Sequence, residues 1–120
     1  MYPLIVKIVM GECESCCFNE KIWVSHVVIN RVYSSCRFNP IEKDFQGLNR
    51  DISNSYLTKQ QLFLTMNAVM ISYIQQIFGF DPTNKSVFFC NGPPNNLSFY
   101  KLKANRHKGF IHVYYAIDER

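Results

Sequence analysis

Apolar positions recur at helical spacing in three stretches of the chain. In "PLIVKIVMGE", residues 3–12, Leu4, Ile5, Ile8 and Val9 share one face, and Pro3 suits a first helical turn. A short buried helix is expected there. "CESCCFNE" interrupts it. Asn19 can cap a second helix over residues 20–34, "EKIWVSHVVINRVYS", where Ile22, Trp23, Val27, Ile29, Asn30 and Val32 make it mostly buried. Its branched residues also suit a strand, the competing reading for "VSHVVINRVY".

Residues 35–57 are rich in Asn, Asp, Ser and Gly and read as a loop, with one helical turn expected at "IEKDF". Thr58 can cap the next helix, in which Leu62, Met66, Val69, Met70, Tyr73, Ile74 and Ile77 form a stripe expected to be core, and Gly79 ends it. "DPTN", residues 81–84, has the composition of a turn. "SVFFCN" and "FIHVYYAI" read as strands, with the loop "GPPNN" and the stretch "SFYKLKANRHKG" between them. The pattern predicts an α+β fold: a mainly helical body with a small two-stranded antiparallel sheet, its strands joined by a long connection.

With 120 residues, 48% of them hydrophobic, the chain can bury one core but not two, and it is too apolar for a disordered segment. One domain, residues 1–120, is expected. A formal charge of +4 tilts only weakly toward polyanionic partners. No run approaches the ~20 apolar residues that span a bilayer, so no membrane insertion is expected. The opening residues lack the basic region and small-residue cleavage site of an export signal, so synthesis in the cytosol without a signal peptide is expected. The five cysteines (Cys13, Cys16, Cys17, Cys36 and Cys90) are then expected to be reduced thiols rather than a disulfide framework.

Several of these segments, in this order, match a known pattern. "IVMGECES....NEKIWVSHVVINRV" resembles the opening of the SleB/CwlJ-type cell-wall hydrolases, the spore-cortex lytic enzymes and their phage relatives, which runs "GE.......G...VA.VVLNRV". "FDPTNKSVFFCNGP" is similar to their "DPT..A.yF.NP" segment, and "KGFIHVYYAI" to their closing "iG.H.Fy". Together these cover roughly residues 4–117. The chain departs from the family in having "GECESC" for "GEARGE", and Phe45-Gln46-Gly47-Leu48 is a loose counterpart of "QFS". The resemblance implies a lysozyme-like fold that cleaves peptidoglycan glycan strands between muramic acid and glucosamine sugars. It implies lytic transglycosylase chemistry ending in an anhydro sugar; no cofactor and no metal are expected.

Glycosidic cleavage requires protonation of the leaving oxygen as an oxocarbenium-like centre forms. Glu12 falls on the family's acid, where the first helix ends beside apolar residues. Such a site disfavours the anion and can raise a carboxyl pKa to about 6. In a lytic transglycosylase the muramic sugar's own 6-hydroxyl attacks intramolecularly, so the same glutamate serves as acid and then base. Glu14 points to nearly the opposite side of a helix. Glu42, Asp44 and Asp51 lie in the loop, and Asp51 is the choice for a hydrolytic variant.

His112 falls on the family's histidine, and its readings are orientation of Glu12, sugar contact, or a sheet-face histidine bonded to a backbone group. Alternation along the strand sets it opposite Ile111, Val113 and Tyr115, and Tyr114 is read on its face. Phe45, Phe89 and Tyr114 are candidate stacking platforms for sugar rings, and Asn91 a further glycan contact. Asn30-Arg31 is read as structural and His26 as a satisfied, partly buried histidine. Cys13, Cys16 and Cys17 have the spacing of a zinc half-site that Cys36, Cys90, His107 or His112 could complete in space, set against small buried thiols. "KLKANRHK" is a basic patch without the accompaniments of a nucleic-acid module, so no nucleic-acid partner is expected. The expected partner is the glycan strand at the bacterial cell wall, acted on by a phage-borne or spore enzyme. A rival is a catalytically inactive virion or tail component keeping the same fold among other phage proteins. A zinc-dependent nucleic-acid binder is the third reading.

Overall fold

The computed structural model describes residues 2–33, 56–90 and 102–117. Within them run helices α1 (Tyr2–Cys13), α2 (Phe18–Tyr33) and α3 (Tyr56–Ile77), then strands β1 (Phe88–Cys90), β2 (Leu102–Asn105) and β3 (Val113–Ile117). The fold is mixed and mostly helical, with a small antiparallel sheet. Among the described residues that sheet has three strands in the order β1-β3-β2, not two. β3 is its centre, pairing Phe89 with Tyr114 on one side and Asn105 with Tyr114 on the other. β2 arises from the "KLKAN" stretch read as connection. Its middle residues, Lys103 and Ala104, are exposed, so it carries no buried alternation to betray it. An exposed Lys is typical of an edge strand.

Helix α2 is the hub. Val24, Val27, Val28 and Ile29 are buried with Ile5, Ile8 and Val9 of α1, Val69 of α3 and Tyr114 of β3 in one cluster. Burial on several sides overrides the strand preference of its branched residues, so the helical reading holds. The helix starts at Phe18, before Asn19; the Cys17 carbonyl accepts the first bond, from the Lys21 N–H at 3.0 Å. α3 runs antiparallel to α1: the Thr58 hydroxyl donates to Glu14 Oε1 at one end and the Tyr2 hydroxyl to the Met66 carbonyl at the other. It runs parallel to α2, meeting it through Thr65, Ser72 and Gln75 in turn.

The α3 stripe is only partly core. Ala68 and Val69 are buried, together with the small polar residues Thr65 and Ser72, whereas Met66, Met70, Ile74 and Ile77 are exposed. Small side chains let α3 approach α2 closely, and the Ser72 hydroxyl reaches the Ile22 carbonyl at 3.0 Å. The bulky residues are thereby turned outward. α3 ends as expected at Gly79, whose φ of 75° sets a left-handed cap with Phe80 N–H on Gln75 O and Gly79 N–H on Gln76 O.

The "DPTN" turn folds around the Asp81 carboxylate, which accepts from Thr83 N–H, the Thr83 hydroxyl and Lys85 N–H. Asn84 and Lys85 both have positive φ. Asn30 ties this turn to α2: its Nδ2 donates to Asp81 Oδ2 and to the Ser86 carbonyl, each at 2.9 Å. The structural reading of Asn30 holds in this form. Arg31 Nη1 donates to the Val87 carbonyl just beyond, and its guanidinium lies over the Phe88 ring. No helix among the described residues is long and apolar enough to cross a membrane.

Candidate functional site

The candidate acid lies in the last turn of α1, where helix carbonyls lack intrahelical donors. Lys21, wholly buried in the first turn of α2, supplies them. Its Nζ donates to the carbonyls of Cys13 and Glu14 at 2.9 and 2.8 Å and to the Thr65 hydroxyl. Burial pulls the Lys21 ammonium down to about 8, against the favourable charge of Glu14. The turn from α1 to α2 is therefore fixed by a cation at the negative end of a helix dipole.

Glu20, next to Lys21, is the fully buried glutamate at this end of the molecule; Glu12 is half-buried. Glu20 Oε1 accepts the Ile111 N–H at 2.9 Å. Oε2 accepts the His112 N–H at 3.0 Å, the Tyr114 hydroxyl at 2.9 Å and His112 Nδ1 at 3.1 Å. Burial pushes the carboxyl up, but the two backbone donors, then Tyr114 and the His112 ring, outweigh it and hold Glu20 below its usual range. It is thus an anion and an anchor, not a proton donor. The same bonds explain why the final strand starts late. The N–H groups of Ile111 and His112 are spent on Glu20, so the ladder begins at Val113.

A donating Nδ1 fixes His112. In the neutral ring Nε2 then carries the lone pair, and among the described residues it makes no hydrogen bond. The Phe89 ring meets the His112 ring edge-on at 5.0 Å. Tyr114 lies between Phe89 and Trp23, and Phe110 and His107 extend the aromatic group. Burial, the Glu20 charge and the bond to Glu20 all push the Tyr114 hydroxyl far up, so it stays protonated and donates.

Of the expected site residues, Phe89, His112 and Tyr114 come together at this corner, next to the end of α1 that carries Glu12. Tyr114 has 0% exposure, so its ring is a core element and not a surface for a sugar. β3 is the central strand and its residues Val113–Ala116 are covered on both faces, which alternation alone did not reveal. Phe89 and His112 stay partly exposed. Phe45 and Asn91 lie outside the described residues, as do Asp51, the 35–55 loop and "GPPNN". Glu20 and Lys21 were missed because an adjacent acid and base look like solvated surface; the available signal was their place in the first turn of a helix whose next residues are almost all apolar.

The cysteines are not all thiols. Cys13 and Cys16 are joined by a disulfide across the α1–α2 turn, where their Cα atoms lie 5.1 Å apart, while Cys17 is an exposed free thiol. Three residues of separation at a helix end bring the pair within bonding reach. One ligand-type atom from each of Cys13, Cys16, Glu20 and His112 lies within 4.8 Å of the others. Neither Cys90 nor His107 belongs to this group, and Cys36 lies outside the described residues.

A second polar network lies further along α2. His26, fully buried, accepts from Gln76 Nε2 at Nδ1 (2.8 Å), which leaves Nε2 to donate to Gln75 Oε1 (2.6 Å). Gln76 Nε2 also donates to Asn30 Oδ1. Burial drives the His26 imidazole down, against the Gln75 bond and the Asp81 charge 3.7 Å away. The ring is neutral and satisfied, with both nitrogens occupied. Two depressions lined by described residues lie elsewhere: one of about 320 Å³ at Tyr2, Pro3, Val6, Lys7, Leu62 and Met66, the other at Lys59, Gln60, Phe63 and Leu64. Neither is lined by Glu12 or His112. No protein-family description, curated protein or solved structure matches the chain.

Proposed function

We propose that the chain is a lysozyme-like, peptidoglycan-cleaving glycosidase of lytic transglycosylase type, with Glu12 as its general acid and base. The observation that carries this reading is the meeting of two distant motifs. Glu12 of the "GE" pair directly precedes Cys13, whose sulfur lies within 4.8 Å of a ligand-type atom of His112 from the closing "H.Y" segment. In the mechanism Glu12 gives its proton to the oxygen bridging the muramic acid and glucosamine sugars. The C–O bond breaks with its electron pair leaving on that oxygen, and an oxocarbenium-like centre forms. The Glu12 carboxylate then takes the proton of the muramic 6-hydroxyl, whose oxygen closes on the anomeric carbon to give the anhydro sugar. No second carboxylate is needed, which suits a corner whose buried acid, Glu20, is held in place by four donors. Glu20 acts by positioning His112, and Phe89 beside it offers an aromatic edge to the glycan.

The site of action in this reading is the bacterial cell wall, reached from a phage particle or lysate, or in a spore. The test is wall clearing by the purified chain and its loss in Glu12→Gln, with the far-ultraviolet dichroism of the two proteins unchanged.

One observation favours a second reading. Phe63, Met66, Met70, Ile74 and Ile77 form an exposed apolar stripe along α3. Such a face is common at protein–protein contacts. In this reading the chain is a non-catalytic component of a virion or tail. Intact glycan after incubation with wild-type protein, together with self-association in sedimentation, would select it.

A further inference from the structure

We propose that reduction of the Cys13–Cys16 bond turns the corner between α1, α2 and β3 into a zinc(II) site, with the two thiolates, one ring nitrogen of His112 and a carboxylate oxygen of Glu20 as its ligands. The four donor atoms already lie within 4.8 Å of one another. Tetrahedral zinc, with bonds of roughly 2.0–2.3 Å, needs them about 3.3–3.8 Å apart. Opening the disulfide frees both sulfurs to settle at such distances. The donors come from three places: the end of α1 and the turn after it, the first turn of α2, and the segment entering β3. The C-x-x-C spacing supplies half the shell from one turn.

The surroundings are those of a closed structural site. Cys13 and Glu20 are 1% exposed and Cys16 7%. Glu20 Oε1 accepts a single bond, from the Ile111 N–H, and keeps a lone pair, while the His112 N–H and the Tyr114 hydroxyl hold the carboxylate through Oε2. His112 can keep one nitrogen on Glu20 and offer the other. Two thiolates and a carboxylate carry one more negative charge than zinc(II) neutralises. The Lys21 ammonium on the Cys13 carbonyl stands next to that excess. Sulfur, nitrogen and oxygen in one set select zinc over magnesium or calcium.

The chemistry balances with a thiol reductant. Two electrons and two protons from a dithiol convert the Cys13–Cys16 bond to two thiols and leave the reductant as its own disulfide. Zinc then displaces both thiol protons. In the test a phosphine does the reduction and leaves as its oxide, with water supplying the oxygen and protons.

The full chain is prepared oxidised and phosphine-reduced under nitrogen, exposed to zinc(II) alone, dialysed, and assayed for metal. About one zinc per reduced chain and none per oxidised chain is expected. Cobalt(II) in place of zinc gives a thiolate charge-transfer band and tetrahedral visible absorption in the reduced chain only. Cys17→Ser keeps the metal, Cys16→Ser loses it, and Tyr114→Phe, which removes a bond to Glu20, weakens affinity about 10- to 100-fold. A reduced wild-type chain without zinc overturns the proposal. So does equal zinc on the oxidised chain, or zinc retained by Cys13→Ser/Cys16→Ser. The oxidised and reduced samples share one sequence, so the central comparison needs no variant to fold.

Discussion

Glu20→Ala tests the clamp that joins α2 to the central strand. The substitution removes the acceptor of four bonds of 2.9–3.1 Å. The His112 ring is partly exposed and Ile111 exposed, so water can replace part of what their groups lose. The Tyr114 hydroxyl, in a wholly buried side chain, has no such recourse. An orphaned buried donor costs about 1–3 kcal/mol, and two partly rehydrated N–H groups roughly 1 kcal/mol each, giving about 3–5 kcal/mol in all. Relief of the buried charge offsets little, because the native bonds already hold Glu20 ionised. For a domain of this size that is a fall in Tm of about 10–20 °C. Glu20→Gln should cost less, about 1–3 kcal/mol, since its amide oxygen can take the three donors at the Oε2 position and sets only an NH2 against the Ile111 N–H. Urea denaturation of wild type, both variants and Tyr114→Phe gives the values. The Glu20→Ala/Tyr114→Phe cycle should show coupling of about 1 kcal/mol or more. A Glu20→Ala loss under 1 kcal/mol, or no coupling to Tyr114, refutes the clamp.

Further outcomes follow from the same geometry. The Glu20 and Asp81 carboxyls both sit below their unfolded values, so the unfolded chain binds more protons in acid; their stabilisation, full above about pH 4.5, is lost as pH falls through the lowered values. His26 adds to this: with its folded value below 6.5, charging it in the core destabilises the fold progressively from pH 6.5 downward. Denaturant midpoints measured from pH 7 to 4 should fall throughout, and a flat profile contradicts the buried neutral imidazole. Gly79→Ala meets nothing within 4 Å of its new Cβ yet must hold φ near 75°; the cost is conformational, about 1 kcal/mol, read from the shift in urea midpoint.

The residues that local chemistry constrains were legible. Pro3, Gly79 and "DPTN" marked a helix start, a helix end and a turn because each restricts φ or supplies a local bond. The three helices followed from apolar spacing. What escaped depends on partners distant in sequence. Lys103 on β2 looks like any exposed lysine until β3 lies beside it. Met66, Met70 and Ile74 have core chemistry, yet close approach of α3 to α2 is possible only on the Thr65, Ala68 and Ser72 side. Glu20 became an anchor through Ile111, His112 and Tyr114, some ninety residues on. Tyr114 was rightly grouped with His112 and wrongly left open to substrate, because alternation assigns a face and not its cover.

The proposed catalysis turns on one proton on Glu12, and the products report on it directly. Purified peptidoglycan is digested with wild-type chain and with Glu12→Gln, and the soluble fragments are weighed by mass spectrometry. Anhydro-muramic ends are expected from wild type and none from the variant. Intact glycan with folded wild-type protein, or the same fragments from Glu12→Gln, contradicts the proposed catalysis.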